Sequence, residues 1–192
     1  MSDFWENKHR LEDSYWLTGS GVDTYSFYHN INWEFFKGKK ILEIGIGTGK
    51  FLNQCNNNFL LYASDISTIA LNKINHLVIN SYLSKNIKQC PEVDLAICHL
   101  VFQHNNISEV ERIINDVNLT TTGIFSFQYA ECTDFKLAKE KDPNMVLNET
   151  HFFHSYEDIE NAINNSNKKL LQHHGRVKVS TGIHWNICRV CI

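Results

Sequence analysis

Three glycines at alternate positions, Gly45, Gly47 and Gly49, follow an apolar run that ends Leu42-Glu43-Ile44. Glycine has no Cβ, so such a turn can be sharp and a ligand can come up against its backbone. At the end of the first strand of an open α/β sheet it would lie in the crevice where these sheets bind ligands. Thr48 stands inside the turn, and Lys50-Phe51-Leu52 starts the helix expected after it. A second feature follows about twenty residues on, the usual offset of a ribose-binding acid. There the apolar run 60–64 ends in Asp65-Ile66. A carboxylate so placed can accept both hydroxyls of a ribose. Each feature alone also has a plain account, the triplet as a tight turn and Asp65 as a helix N-cap. Together they point to a nucleoside.

The spacing separates the nucleotide chemistries. A dinucleotide turn reads G-x-G-x-x-G, with a pyrophosphate on the following helix. Here the pattern is G-x-G-x-G, and Glu43 brings negative charge towards that phosphate. This leaves a nicotinamide dehydrogenase as a distant alternative. No Gly-Lys-[Ser/Thr] follows either, which excludes a Walker phosphate loop. An acid suits a cation, and S-adenosylmethionine carries both a sulfonium and an ammonium.

The elements needed to position these residues are legible as alternation. Strand-like apolar runs occur at 40–44, 60–64, 77–80, 93–98 and 123–129, with amphipathic stretches between them. Ser108-Glu109-Val110-Glu111 has the form of a capping box, and Ser155-Tyr156-Glu157-Asp158 starts a later helix. Strand–helix alternation predicts a parallel sheet wrapped by helices. The end differs: 170–180 and 183–192 read as strands joined at Thr181-Gly182, too short for a crossover and therefore antiparallel.

A chain of 192 residues suits one domain with a sizeable core. Its net charge of -3 gives little reason to dock on nucleic acid or an anionic membrane. The first ten residues include Asp3, Glu6, Lys8 and Arg10, unlike a secretory signal, and no run of about eighteen apolar residues could span a bilayer. A cytoplasmic protein with free thiols is expected. Cys188 and Cys191 form a CxxC, with His173 and His174 as the available second pair, but they lie in an apolar strand-like run and no metal is expected there.

With the loop Glu43-Ile44-Gly45-Ile46-Gly47-Thr48-Gly49, Asp65 and the stretch from Val93-Asp94-Leu95 to His104, the sequence resembles the class I S-adenosylmethionine-dependent methyltransferases over residues 38–192. The resemblance implies a Rossmann-like, doubly wound seven-stranded α/β sheet of order 3-2-1-4-5-7-6, with strand 7 antiparallel. It implies that Gly45, Gly47, Thr48 and Gly49 pass beneath the methionine part of the cofactor, that Glu43 orients the loop, and that Asp65 holds the ribose with Ile66 against the adenine. Where relatives have an acid near the adenine, this chain has Ser81 and Tyr82. Cys98 and His99 fall where relatives touch the methionine portion. Residues 1–37, with Trp5, Tyr15, Trp16 and Tyr25, resemble the variable cap, read here as a lid or as core.

Methyl transfer needs alignment, and a hydroxyl acceptor also benefits from a base. His99 and His104 are the candidate bases; Trp16, Tyr129, His151 and His154 are the candidate acceptor walls, the last two after the polar stretch 131–150. The expectation is methylation at oxygen of a polar small molecule such as a sugar or sugar-linked metabolite. Two readings compete with it. One is an N-methyltransferase acting on an amine, protein or RNA; the other is a non-catalytic cofactor-binding partner subunit.

Overall fold

Lys40–Ile44 (β1) buries its last four residues, as a strand covered on both faces must. In the computed structural model, which describes residues 2–11, 31–55, 58–132, 152–178 and 183–192, β1 runs parallel between Leu60–Asp65 (β2) and Val93–Cys98 (β4). Asn80–Leu83 (β3) extends the sheet beyond β2, and Leu119–Cys132 (β5) extends it beyond β4. Lys169–Lys178 (β6) and Ile183–Cys191 (β7) pair antiparallel, and β7 lies antiparallel to β5. The order is β3-β2-β1-β4-β5-β7-β6, the one expected.

Strand alternation divides the interior in two. Leu42, Ile44, Ala96, Cys98, Phe125 and Phe127 point to one face, covered by Ile107–Asp116 (α4) and Tyr156–Asn164 (α5). Ile41, Leu61, Ala63, Leu95 and Ile97 point to the other. That face is covered by the Trp33–Phe36 turn, Lys50–Gln54 (α2) and Thr68–Ile74 (α3). The N-terminal helix, Ser2–Arg10 (α1), packs against α3.

Local expectations needed two corrections. The third strand is not 77–80 but Asn80–Leu83. Leu77 and Val78 are apolar because they pack on the second core, and the ladder with β2 starts only at Asn80 opposite Tyr62. Helix α4 is capped by Asn106, whose side chain accepts the Glu109 N–H at 2.9 Å, so Ser108 falls inside the first turn. Two good caps lie two residues apart, and the helix begins at the earlier one. Ser155 and Asp158 do form the reciprocal box that starts α5.

Cys188 and Cys191 stand three apart on β7, so their side chains point to opposite faces of the strand. They cannot share a metal without breaking the strand. Among the described residues no helix is long and apolar enough to cross a membrane.

Candidate active site

The chain leaves β1 at Gly45, where φ is +73°. A Cβ at that position would collide with Cγ2 of Val101, so the turn packs directly against the segment leaving β4. Gly49, also at +73°, caps α2, and a Cβ there would run into Ile74. Both positions therefore require glycine for conformation and for space. The Gly45 N–H donates to Ser64 O at 2.7 Å, which ties the turn to the end of β2.

Asp65, the last residue of β2, completes that tie. Its Oδ1 accepts the Ser67 N–H at 2.8 Å and its Oδ2 accepts the Gly47 N–H at 3.4 Å. Burial pushes the carboxyl up to about 6 despite these donors. Glu43, 1% exposed, sits two residues before Gly45, level with Ala63 and Ile97. Two buried acids thus stand at the base of one turn. Thr48 is exposed at its tip, and Ile66 is half-buried beside Asp65.

At the end of β4 the chain bends sharply. Leu100 has φ of +55°, a left-handed conformation that costs a branched residue about 1–3 kcal/mol. His99 precedes it, buried, and burial pulls its ring down to about 4. His104 lies in the short turn Phe102–His104, its ring 4.9 Å from that of Trp5 on α1. The same helix sends Glu6 to the first turn of α3. There its carboxylate accepts the Thr68 N–H and hydroxyl, both at 2.7 Å, and the Ser67 hydroxyl at 2.9 Å. Helix α1 therefore bridges the ends of β2 and β4, on either side of the glycine turn.

No family model matches the chain, and no curated protein matches it in sequence. Solved structures match it in shape. The N-methyltransferase NodS from Bradyrhizobium japonicum, in complex with S-adenosyl-L-homocysteine, superimposes with a TM-score of 0.69 at 14% identity, covering 99% of this chain and 97% of that one. Magnesium protoporphyrin IX methyltransferase from Synechocystis, with the same compound bound, gives 0.64 at 14%, covering 99% and 98%. The pyocyanin biosynthetic protein PhzM gives 0.63 at 9%; 92% of this chain is covered, but it spans only 56% of that protein. The chain has the class I S-adenosylmethionine-dependent methyltransferase fold.

Within this methyltransferase fold, several side chains take settings other than those expected. Tyr129 is not at the crevice wall: it points into the first core, its hydroxyl 3.1 Å from Nε2 of His173. His154 is buried, with Nε2 at 3.1 Å from Phe102 O and 3.0 Å from Asn105 O, so it tethers the segment after β4 rather than facing an acceptor. The Cys98 side chain also lies in the first core, where burial, and then Glu43, drive its thiol well above its ordinary range.

At the β3 edge the residue level with Asp65 is Leu83. Ser81 lies two residues short of the edge and donates its hydroxyl to Asn75 Oδ1 at 3.1 Å. Tyr82 packs against the first core, its hydroxyl accepting from Asn80 at 3.2 Å. Both line an open cavity of about 360 Å³ with Thr68, Asn72 and Asn86, which the glycine turn does not line. Trp16 and His151 lie outside the described residues, as does most of the proposed lid. Sequence reasoning missed Glu6, a solvated charge by its local pattern, and Gln128, the neighbour of Tyr129 on β5. No sequence signal marked either.

Proposed function

We propose that this chain binds S-adenosylmethionine over the glycine turn and transfers its methyl group to oxygen on a polar small molecule, such as a sugar or sugar-linked metabolite. The observation that carries the reading is the pair of buried acids, Glu43 and Asp65, at a turn whose backbone approaches its neighbours too closely for any side chain. A buried carboxylate is stabilised by a cation or by hydroxyl donors. A sulfonium nucleoside offers both, whereas in a dinucleotide the ribose would suit Asp65 but the pyrophosphate would bring like charge towards Glu43. The same site is therefore a poor one for a dinucleotide.

When bound, the cofactor supplies a methyl group already activated for in-line displacement. The protein's task is then to bind, align and exclude water. Asp65 would hold the ribose while keeping the Gly47 N–H in place, and Glu43 would face the cationic end. His99, held uncharged at neutral pH by burial, would take the proton of an acceptor hydroxyl. A ring held near 4 is a weak base, so its contribution belongs at the low end of the usual range, about 10²-fold. His104, in contact with Trp5, would position α1 rather than meet the acceptor.

The likeness to NodS, an N-methyltransferase, favours a second reading, methylation of an amine. Incubation with methyl-labelled cofactor and separate sugar and amine fractions distinguishes the two. Label in an ether linkage by mass spectrometry supports oxygen. Label only in amines supports the second reading, and label only in protein or RNA removes the small-molecule acceptor altogether.

A further inference from the structure

Gln128 on β5 is 0% exposed, and neither its Oε1 nor its Nε2 has a hydrogen-bond partner among the described residues. That is costly, because a carboxamide stripped of water and left unbonded is worse than an apolar side chain of the same size. Its place in the sheet offers a reason. Ile44, Cys98 and Phe127 are paired across β1, β4 and β5, and the residues that follow them are Gly45 and His99, just past the ends of β1 and β4, and Gln128, still on β5. Neighbouring strands lie about 4.8 Å apart, so Gln128 stands roughly 10 Å from the glycine turn, with His99 at the end of the strand between.

Alternation along β5 confirms the side. Phe125, Phe127 and Tyr129 enter the first core, while Ile124 packs on the second. Gln128 shares the face of Ile124, and His99, the residue directly after β4, follows on the side of Ile97 if the alternation of that strand is carried one residue further. The carboxamide is thus on His99's side of the sheet. Among the described residues Gln128 is the buried amide with both its oxygen and its nitrogen unbonded, whereas Asn186 and Gln103 each leave only the oxygen so. Asn186 pairs with Tyr129, on the opposite face, and donates to Glu131 at 3.3 Å.

We propose that Gln128 is a specificity-determining residue whose carboxamide hydrogen-bonds a neutral hydroxyl group of the methyl acceptor, next to the hydroxyl that His99 serves. A carboxamide offers one acceptor and one donor group and no charge, which suits a polyol with adjacent hydroxyls better than a carboxylate, phosphate or ammonium. A site built to bond a hydroxyl strongly rejects analogues that lack it, because its own buried groups are then left unpaired. The proposal rests on the methyltransferase reading above and adds the acceptor's chemistry to it.

The test compares wild type with Gln128→Met and Gln128→Leu, both apolar and of similar size. Calorimetry with S-adenosylhomocysteine comes first, and its failure on the wild type would remove the methyltransferase reading itself. The saturated complex is then titrated with methyl α-D-glucopyranoside and methyl β-D-galactopyranoside, with glucose 6-phosphate and spermidine as charged probes. Expected are variants that melt no lower than wild type, keep S-adenosylhomocysteine affinity within about twofold, and bind the neutral glycosides at least tenfold more weakly. The proposal is overturned if both variants melt lower or fail to fold, since Gln128 is then a structural residue. It is equally overturned if glycoside binding is unchanged, or if the wild-type complex binds only charged probes or none.

Discussion

Acidification from pH 7 to pH 5 should weaken the hold on S-adenosylhomocysteine about tenfold, through the one carboxyl of Asp65. With its carboxyl at about 6, Asp65 is about nine-tenths ionised at pH 7 and about one-tenth at pH 5. Ribose hydroxyls need the ionised form, because a protonated carboxyl gives up an acceptor site to its own proton. In the unliganded protein the contribution of Asp65 itself runs the other way, opposed over the same range by His99, whose depressed ring favours the fold as pH rises. The folded value lies above the ordinary 3.8, so this group's contribution to stability is fully present below about pH 4 and is lost as pH rises through about 6. The difference amounts to roughly 3 kcal/mol. Binding therefore relieves at neutral pH a cost that folding imposes there. Isothermal titration at half-unit steps between pH 5 and 8 measures the first trend, and denaturant melts without ligand measure the second. Asp65→Asn should bind more weakly at pH 7 and lose the affinity slope, and the difference between its melts and those of wild type isolates the Asp65 contribution from that of His99. A wild-type affinity that stays level over this range, or an affinity slope that persists in Asp65→Asn, would refute the assignment of Asp65 to the ligand.

Three other residues give separate expectations. Gly45→Ala should cost about 2–4 kcal/mol, combining left-handed strain with the collision against Val101. Val101→Ala should restore part of that loss in a double-mutant cycle, and strict additivity in chemical denaturation would show that the two do not meet. His154→Leu removes the ring nitrogen from Phe102 O and Asn105 O, so a loss of about 1–3 kcal/mol is expected in the same assay. An unchanged melt would mean that those carbonyls do not depend on the imidazole. Glu6→Ala should loosen α1 at the cost of about 1 kcal/mol or less, because the carboxylate it removes is half-exposed and serves as a cap. Hydrogen exchange at residues 2–10 should accelerate there while the β1 and β4 amides keep their protection. Equal exchange in both proteins would show that Glu6 does not hold the helix down.

The sheet was legible because its signals are local. The glycine triplet fixes where β1 ends, Asp65 marks the end of β2, and the short break at 181–182 forces the last two strands to run against each other. The third strand was misplaced because hydrophobicity reports burial, not pairing. Leu77 and Val78 are half-buried before the ladder begins, and the paired Asn80 and Ser81 are polar. Histidines were harder. His99 and His154 are the same residue type near the same segment. What separates them is the contact of His154 with carbonyls about fifty positions earlier, which only packing supplies. Glu6 is similar: its partners lie more than sixty residues away at 67–69.

Tyr129 and Gln128 show where the physics of the site departs from intuition about composition. An aromatic residue at the end of a strand looks like a pocket wall, and an amide beside it looks like a surface residue. Alternation reverses both, since Tyr129 faces the core and Gln128 takes the side of His99. Three departures from ordinary folding rules lie along this one rim: a leucine with positive φ at 100, a carboxyl held up to about 6 at 65, and an amide at 128 buried with both ends unbonded. Each costs stability, and none helps the sheet to form. Costs that are scattered would suggest a poorly optimised chain, but costs lying together along the carboxyl edge of a sheet are those of a surface shaped to be completed by something it binds.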